Sequence, residues 1–121
     1  FPLDLFAGLT AEKGADKGID TFHQKTMADL DDFIALLGDR IAAHGRDVNG
    51  LVLACGPAPF LRTVRKLADE AGARCQLSLE NRMACGIGAC LGCVTKDAAG
   101  HNVQSCTRGP VFWTHDLAEE F

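Results

Sequence analysis

Residues 50–80 read GLVLACGPAPFLRTVRKLADEAGARCQLSLE, and their organisation decides what fold the rest of the chain must join. Residues 50–55 form a short continuous apolar run that closes on Gly56 and Pro57. A run without polar alternation predicts a strand buried on both faces, as in a parallel sheet. Pro57 suits a first helical position, where its missing N–H costs nothing. Phe60, Leu61, Val64, Leu67, Ala68 and Ala71 then recur at helical spacing, and Gly72 ends the pattern. ARCQLSLE alternates loosely and predicts a second strand.

Towards the N-terminus, residues 26–45 predict another helix. Met27, Leu30, Phe33, Ile34, Leu37 and Ile41 lie on one face, Thr26 can cap the start against Asp29, and Gly45 can close it. Residues 26–80 therefore spell helix, strand, helix, strand, the order of a parallel α/β layer with right-handed crossovers. Residues 1–25 begin apolar and continue as a polar, glycine-bearing stretch that predicts a loop, with no assigned role.

After Glu80 the pattern changes. Residues 81–92 are glycine-rich. CVTK, the polar turn DAAG and HNVQSC predict a short hairpin, GPVF one more short strand, and THDLAEEF a final helical turn capped by Thr114. The expected class is α/β, with a boundary near Glu80. Residues 1–80 would be part of an α/β domain, and residues 81–121 a small β-rich domain.

The 121 residues are 47% hydrophobic and 23% charged, a globular balance. A net charge of -4 argues against nucleic acid or a membrane surface as partner. The longest apolar runs are too short to cross a bilayer, and no signal peptide is evident. The chain starts at Phe1 without a methionine, so it reads as a piece of something longer.

Chemistry concentrates in the cysteines. The spacing Cys85-x4-Cys90-x2-Cys93-x12-Cys106 fits the plant-type [2Fe–2S] pattern, with a fourth cysteine further on. A two-iron cluster with four thiolates is anionic, and its sulfurs need N–H donors. Gly86, Gly88 and Gly92, with Ala84 and Ala89, let the backbone wrap closely enough to supply them. Ile87 and Leu91 are expected to shield such a cluster from water. Four-cysteine zinc is the main metal rival, but only Cys90-x2-Cys93 has the form of a zinc knuckle. Disulfides fit poorly without a secretion signal. Cys75, on a strand, reads as a small core residue. None of His23, His44, His101 and His115 is spaced with another for a metal pair, and His101 reads as solvated in the hairpin turn. RTVRK (62–66) and the acidic tail read as solvated surface.

LVLACGPAPFLRTVRKLADEAG, SLENRMACGIGACLGCV and CTRGPVF together resemble the electron-transfer subunit of class 1B dihydroorotate dehydrogenase, in the ferredoxin–NADP reductase superfamily. The resemblance runs from about Gly50 to Phe112. It implies the C-terminal half of a parallel-sheet NAD-binding domain followed by a [2Fe–2S] domain. It implies Cys85, Cys90, Cys93 and Cys106 as cluster ligands, and Cys55, Gly56 and Pro57 as the nicotinamide-side turn. It further implies an NAD-linked oxidoreductase of pyrimidine synthesis in the cytoplasm. In that enzyme single electrons pass through the cluster between the FMN of a separate catalytic subunit and FAD and NAD. FAD and NAD would belong to the full-length subunit, and the fragment alone would have no turnover. There is no R-x-Y-S flavin motif or GGxGxxP turn here, and Arg108 stands where the family often has an acid. The alternatives are the small subunit of another flavin/iron–sulfur oxidoreductase, such as ferredoxin–NADP transhydrogenase, or a zinc-stabilised interaction module. In the transhydrogenase an aspartate would be expected at the position of Cys85.

Overall fold

A computed structural model describes residues 25–45, 47 and 49–121. The reading of residues 1–24 as an apolar opening and a loop lies outside the described residues. The chain divides into two compact units, Phe1–Phe33 and Ile34–Phe121.

Helix α1 spans Met27–His44, close to the predicted limits. Its start is a reciprocal cap. The amides of Lys25 and Thr26 donate to Asp29 Oδ2 at 2.8 and 2.7 Å, and the Asp29 amide donates back to Thr26 Oγ1 at 3.4 Å. Those two amides hold the Asp29 carboxyl below its ordinary pKa. At the far end the Gly45 amide bonds the Ile41 carbonyl at 2.7 Å.

Strand β1 (Val52–Gly56), helix α2 (Ala58–Ala71) and strand β2 (Cys75–Leu79) follow as expected. Pro57 precedes α2 with φ -59°, and Gly72 closes it in the left-handed region at φ 65°. The amides of Gly72 and Ala73 return to Asp69 and Ala68, which satisfies the last carbonyls of the helix. β1 and β2 are parallel, with Val52 opposite Cys75 and Gly56 opposite Leu79.

Beyond Glu80 lie strands β3 (Val94–Lys96) and β4 (Asn102–Gln104), a short helix α3 (Ser105–Arg108), strand β5 (Val111–Trp113) and a 3-10 turn over Thr114–Asp116. β3 and β4 form the expected antiparallel hairpin. β5 does not stay with them. It pairs antiparallel with β2, Leu77 opposite Phe112, so the main sheet has the order β1-β2-β5 and is mixed rather than parallel. The protein is thus a small α/β fold with a mixed sheet.

The core forms on one face of that sheet. Leu61, Val64, Ala68 and Ala71 of α2 meet Cys75, Leu77 and Leu79 of β2, Ile41 of α1 and Leu117 of the tail. Cys75 is 1% exposed, and burial pushes its thiol up to about 11, as suits a small core residue. The opposite face differs from expectation. Leu53 is 68% exposed and Cys55 is also exposed, so among the described residues β1 is covered on one side only. An apolar run records that both faces avoid water, but it does not say which part of the chain covers them.

The tail and RTVRK also depart from a solvated reading. Arg65 donates to the carbonyls of Ala118 and Leu117 and lies over the Phe121 ring at 5.7 Å. Arg62 Nε donates to the Phe121 carbonyl at 2.9 Å. The Ala118 amide bonds the Lys96 carbonyl at 3.1 Å, which clasps the tail to the hairpin. Carbonyls outside regular helix or strand are good acceptors for guanidinium donors, and local sequence cannot show that the two meet.

Candidate metal centre

Residues 81–92 contain no helix or strand, and backbone geometry shapes them instead. Gly86 and Gly88 adopt φ 68° and 81°, open to glycine at no steric cost. A Cβ on Gly88 would stand 3.2 Å from Thr107 Cγ2, so this glycine also lets the loop approach α3. Gly92 is not left-handed. Leu91, at φ 58°, takes that role beside it.

The turns aim amides at sulfurs. The Cys90 amide donates to Cys85 Sγ at 3.4 Å, and the Ile87 and Ala89 amides also reach that sulfur. These donors, with the Cys90 thiol, lower the Cys85 thiol from its ordinary value of 9.0 to about 6. The Gly92 amide donates to Cys90 Sγ at 3.4 Å. The Cys106 amide and then its thiol donate to the Cys93 sulfur, helped by the Ser105 amide, and lower the Cys93 pKa. Cys106 moves upward, because its proton is shared with Cys93 and because of burial and the negative charge of Cys93 and Cys85, while the Gly88 amide opposes the shift.

The sulfurs are thus brought together as two pairs, Cys85 with Cys90 and Cys93 with Cys106, close enough for Cys85 to act on Cys106 electrostatically. All six cysteines are free thiols. Among the described residues, no three His, Cys, Asp or Glu side chains crowd round a single ion position. Tetrahedral zinc needs all four sulfurs at about 2.3 Å from one ion. A [2Fe–2S] cluster takes two cysteines per iron, and two pairs with N–H donors to the sulfurs fit that chemistry.

Four findings correct or extend the sequence reading. Cys106 is the second residue of the short helix α3 rather than the end of a hairpin strand. Ile87 and Leu91 are 76% and 60% exposed, so they form an apolar rim rather than a shield. Asn81 bonds both the Cys93 carbonyl and Ser105 Oγ, a role that only its place directly after a strand could have hinted at. Glu80 Oε1 lies 3.9 Å from Cys55 Sγ, because the two parallel strands end side by side. Cys55, Gly56 and Pro57 stand at that carboxyl edge, where open α/β sheets receive ligands. His101 is exposed as expected, and its Nδ1 lies 3.4 Å from Asp97 Oδ2.

Comparison with known proteins gives this geometry its class. Residues 80–118 match the iron–sulfur cluster binding domain of dihydroorotate dehydrogenase B. They contain all four paired cysteines, so the matched segment is similar to an iron–sulfur cluster binding domain.

The particular resemblance follows from longer matches. The chain is 44% identical over 70 residues to the electron transfer subunit of dihydroorotate dehydrogenase B (NAD(+)) from Caldanaerobacter subterraneus, covering 55% of this chain and 28% of that relative. It is 48% identical over 61 residues to an electron transfer subunit homolog from Aquifex aeolicus, covering 50% of this chain and 24% of the relative. The Listeria welshimeri subunit is 34% identical over 122 residues, covering 91% of this chain and 47% of that protein. The chain therefore spans about a quarter to a half of the length of these relatives, and it resembles their electron transfer subunit. No helix among the described residues is long and apolar enough to cross a membrane.

Proposed function

We propose that Cys85, Cys90, Cys93 and Cys106 hold a [2Fe–2S] cluster in the electron transfer subunit of an NAD-linked dihydroorotate dehydrogenase, an oxidoreductase of pyrimidine synthesis in the cytoplasm. The observation that carries this reading is the gathering of the four thiols into two amide-bonded pairs inside the matched segment. A cluster held there supplies one-electron transfer, which lets an FMN on a catalytic partner subunit communicate with FAD and NAD. The chain's own part is to bind and tune. Amides of Ile87, Ala89 and Cys90 bond the Cys85 sulfur, that of Gly92 bonds Cys90, those of Ser105 and Cys106 bond Cys93, and that of Gly88 bonds Cys106. Such donors stabilise added negative charge and raise the reduction potential.

In the same reading Cys55, Gly56 and Pro57 form the nicotinamide-side turn of a larger NAD-binding domain. The exposed face of β1 would be covered by the remainder of its sheet and helices. The functional division falls at Glu80, although β5 joins both parts to one sheet. A catalytic subunit containing FMN is the partner.

The test has two stages. Anaerobically purified protein should be red-brown, contain iron and sulfide in equal amounts, and give an EPR signal on reduction. Colourless, folded protein carrying zinc would overturn the cluster. In the full-length subunit combined with its catalytic partner, dihydroorotate should then bleach the visible absorption. An unbleached cluster in an intact complex would refute the assignment to pyrimidine synthesis alone.

A further inference from the structure

Asn81 occupies a place that the cysteine pattern does not account for. It directly follows β2, and its side-chain Nδ2 donates to the Cys93 carbonyl at 3.2 Å and to Ser105 Oγ at 2.8 Å. A carboxamide nitrogen has two protons, and both are used. Ser105 is completely buried, and its amide donates to the same Cys93 carbonyl at 3.0 Å. One side chain thus ties the residue that carries one sulfur to the residue immediately before the other. Cys93 and Cys106 form one of the two thiol pairs. The other pair, Cys85 and Cys90, is arranged by amides of the glycine loop.

We infer that Asn81 is a positioning residue for the metal centre, holding the Cys93–Cys106 pair, and that pair alone, in the spacing one iron requires. The inference rests on the ligand roles proposed above. Its physical basis is that groups one bond-shell beyond the metal set the direction of the ligands. Without the Asn81 bonds, Cys93 keeps the Ser105 amide on its carbonyl and the Cys106 amide and thiol on its sulfur, with no side chain tying the two segments from outside the pair. Cys93 and Cys106 would then settle at a spacing set by their own backbones.

Substitution can separate the two bonds. Asn81→Asp has the same shape, but its carboxylate has no proton for the Cys93 carbonyl and faces it oxygen to oxygen. The Ser105 hydroxyl can still turn and donate to that carboxylate. Ser105→Ala does the reverse, sparing the bond to Cys93. Neither touches the amides that serve Cys85.

The experiment compares wild type, Asn81→Asp, Asn81→Ala and Ser105→Ala, each loaded anaerobically. The readings are iron content, visible circular dichroism, EPR of the reduced form, midpoint potential and the rate of iron loss to a chelator. Asn81→Asp and Asn81→Ala should load fully but show shifted EPR and circular dichroism and an altered potential. Both should release iron about 10–100-fold faster than wild type. Ser105→Ala should fall between them and wild type. Asn81 variants that melt earlier, yet keep wild-type spectra, potential and release rate, would assign Asn81 a scaffolding role and overturn the inference. Should Asn81→Ala fail to fold, the isosteric Asn81→Asp decides by the same readings. Wild-type protein without iron would defeat the ligand roles and this inference together, and it is distinguished because the variants play no part in that result.

Discussion

Leu117 sits four residues from the chain end in an acidic stretch, yet it is 2% exposed and belongs to the core with Ile41, Leu61 and Leu77. Replacing it by alanine should therefore cost what a core leucine costs. Large-to-small changes at buried leucines lose about 2–5 kcal/mol, the upper values where the cavity cannot close. Here the neighbouring tail can settle partly into the space, which places Leu117→Ala near 3 kcal/mol. For a unit of this size about 1 kcal/mol moves the midpoint by roughly 4–8 °C, so melting should fall by roughly 12–24 °C. Thermal and urea unfolding followed by circular dichroism measure this, with wild type and variant at equal metal load because bound metal adds its own stabilisation. A loss within about 0.5 kcal/mol, the range of a surface substitution, would mean that the tail is not part of the core, and the account of the clasp would fall.

Three further outcomes follow from the same geometry. Arg65→Ala should cost about 2 kcal/mol, since its side chain is only 16% exposed and bonds two tail carbonyls; faster proteolysis of the last residues would accompany the loss, and unchanged urea midpoints would contradict it. Cys93→Ser should cut iron retention by more than tenfold and lower melting of the loaded protein, because the loop from 81 to 92 contributes no side chain to the core; equal melting and iron content would refute the ligand assignment. The Asp97 carboxyl is held below its ordinary value of 3.8, chiefly by the His101 amide, with the Ala99 amide adding to the effect. Its stabilisation is fully present above the unfolded pKa and disappears as pH falls through the lower folded one. Asp97→Asn should flatten urea stability measured from pH 5 down to 2, and an unaltered acid slope would count against the turn.

The α/β order of residues 26–80 was legible because its signals are local. The Thr26–Asp29 cap, Pro57, Gly72 and the helical spacing of α2 each act within a few residues. The cysteine spacing was legible for a related reason: a metal centre constrains which residue types occur and how far apart they stand. Asn81 was not legible, since an asparagine after a strand is common and its partners lie 12 and 24 positions away. The exposure of Leu53, Ile87 and Leu91 was hidden too, because hydrophobicity marks a preference for burial without supplying a cover.

From the residue order alone come the elements, their caps and the candidate ligands, all governed by short-range sterics and donor chemistry. The return of β5 to β2, the burial of Leu117 under the guanidinium clasp and the approach of Cys106 to Cys93 arise from contacts between separate segments. Those contacts depend on which surfaces are still free once the local elements have formed, and that is a property of the packed chain.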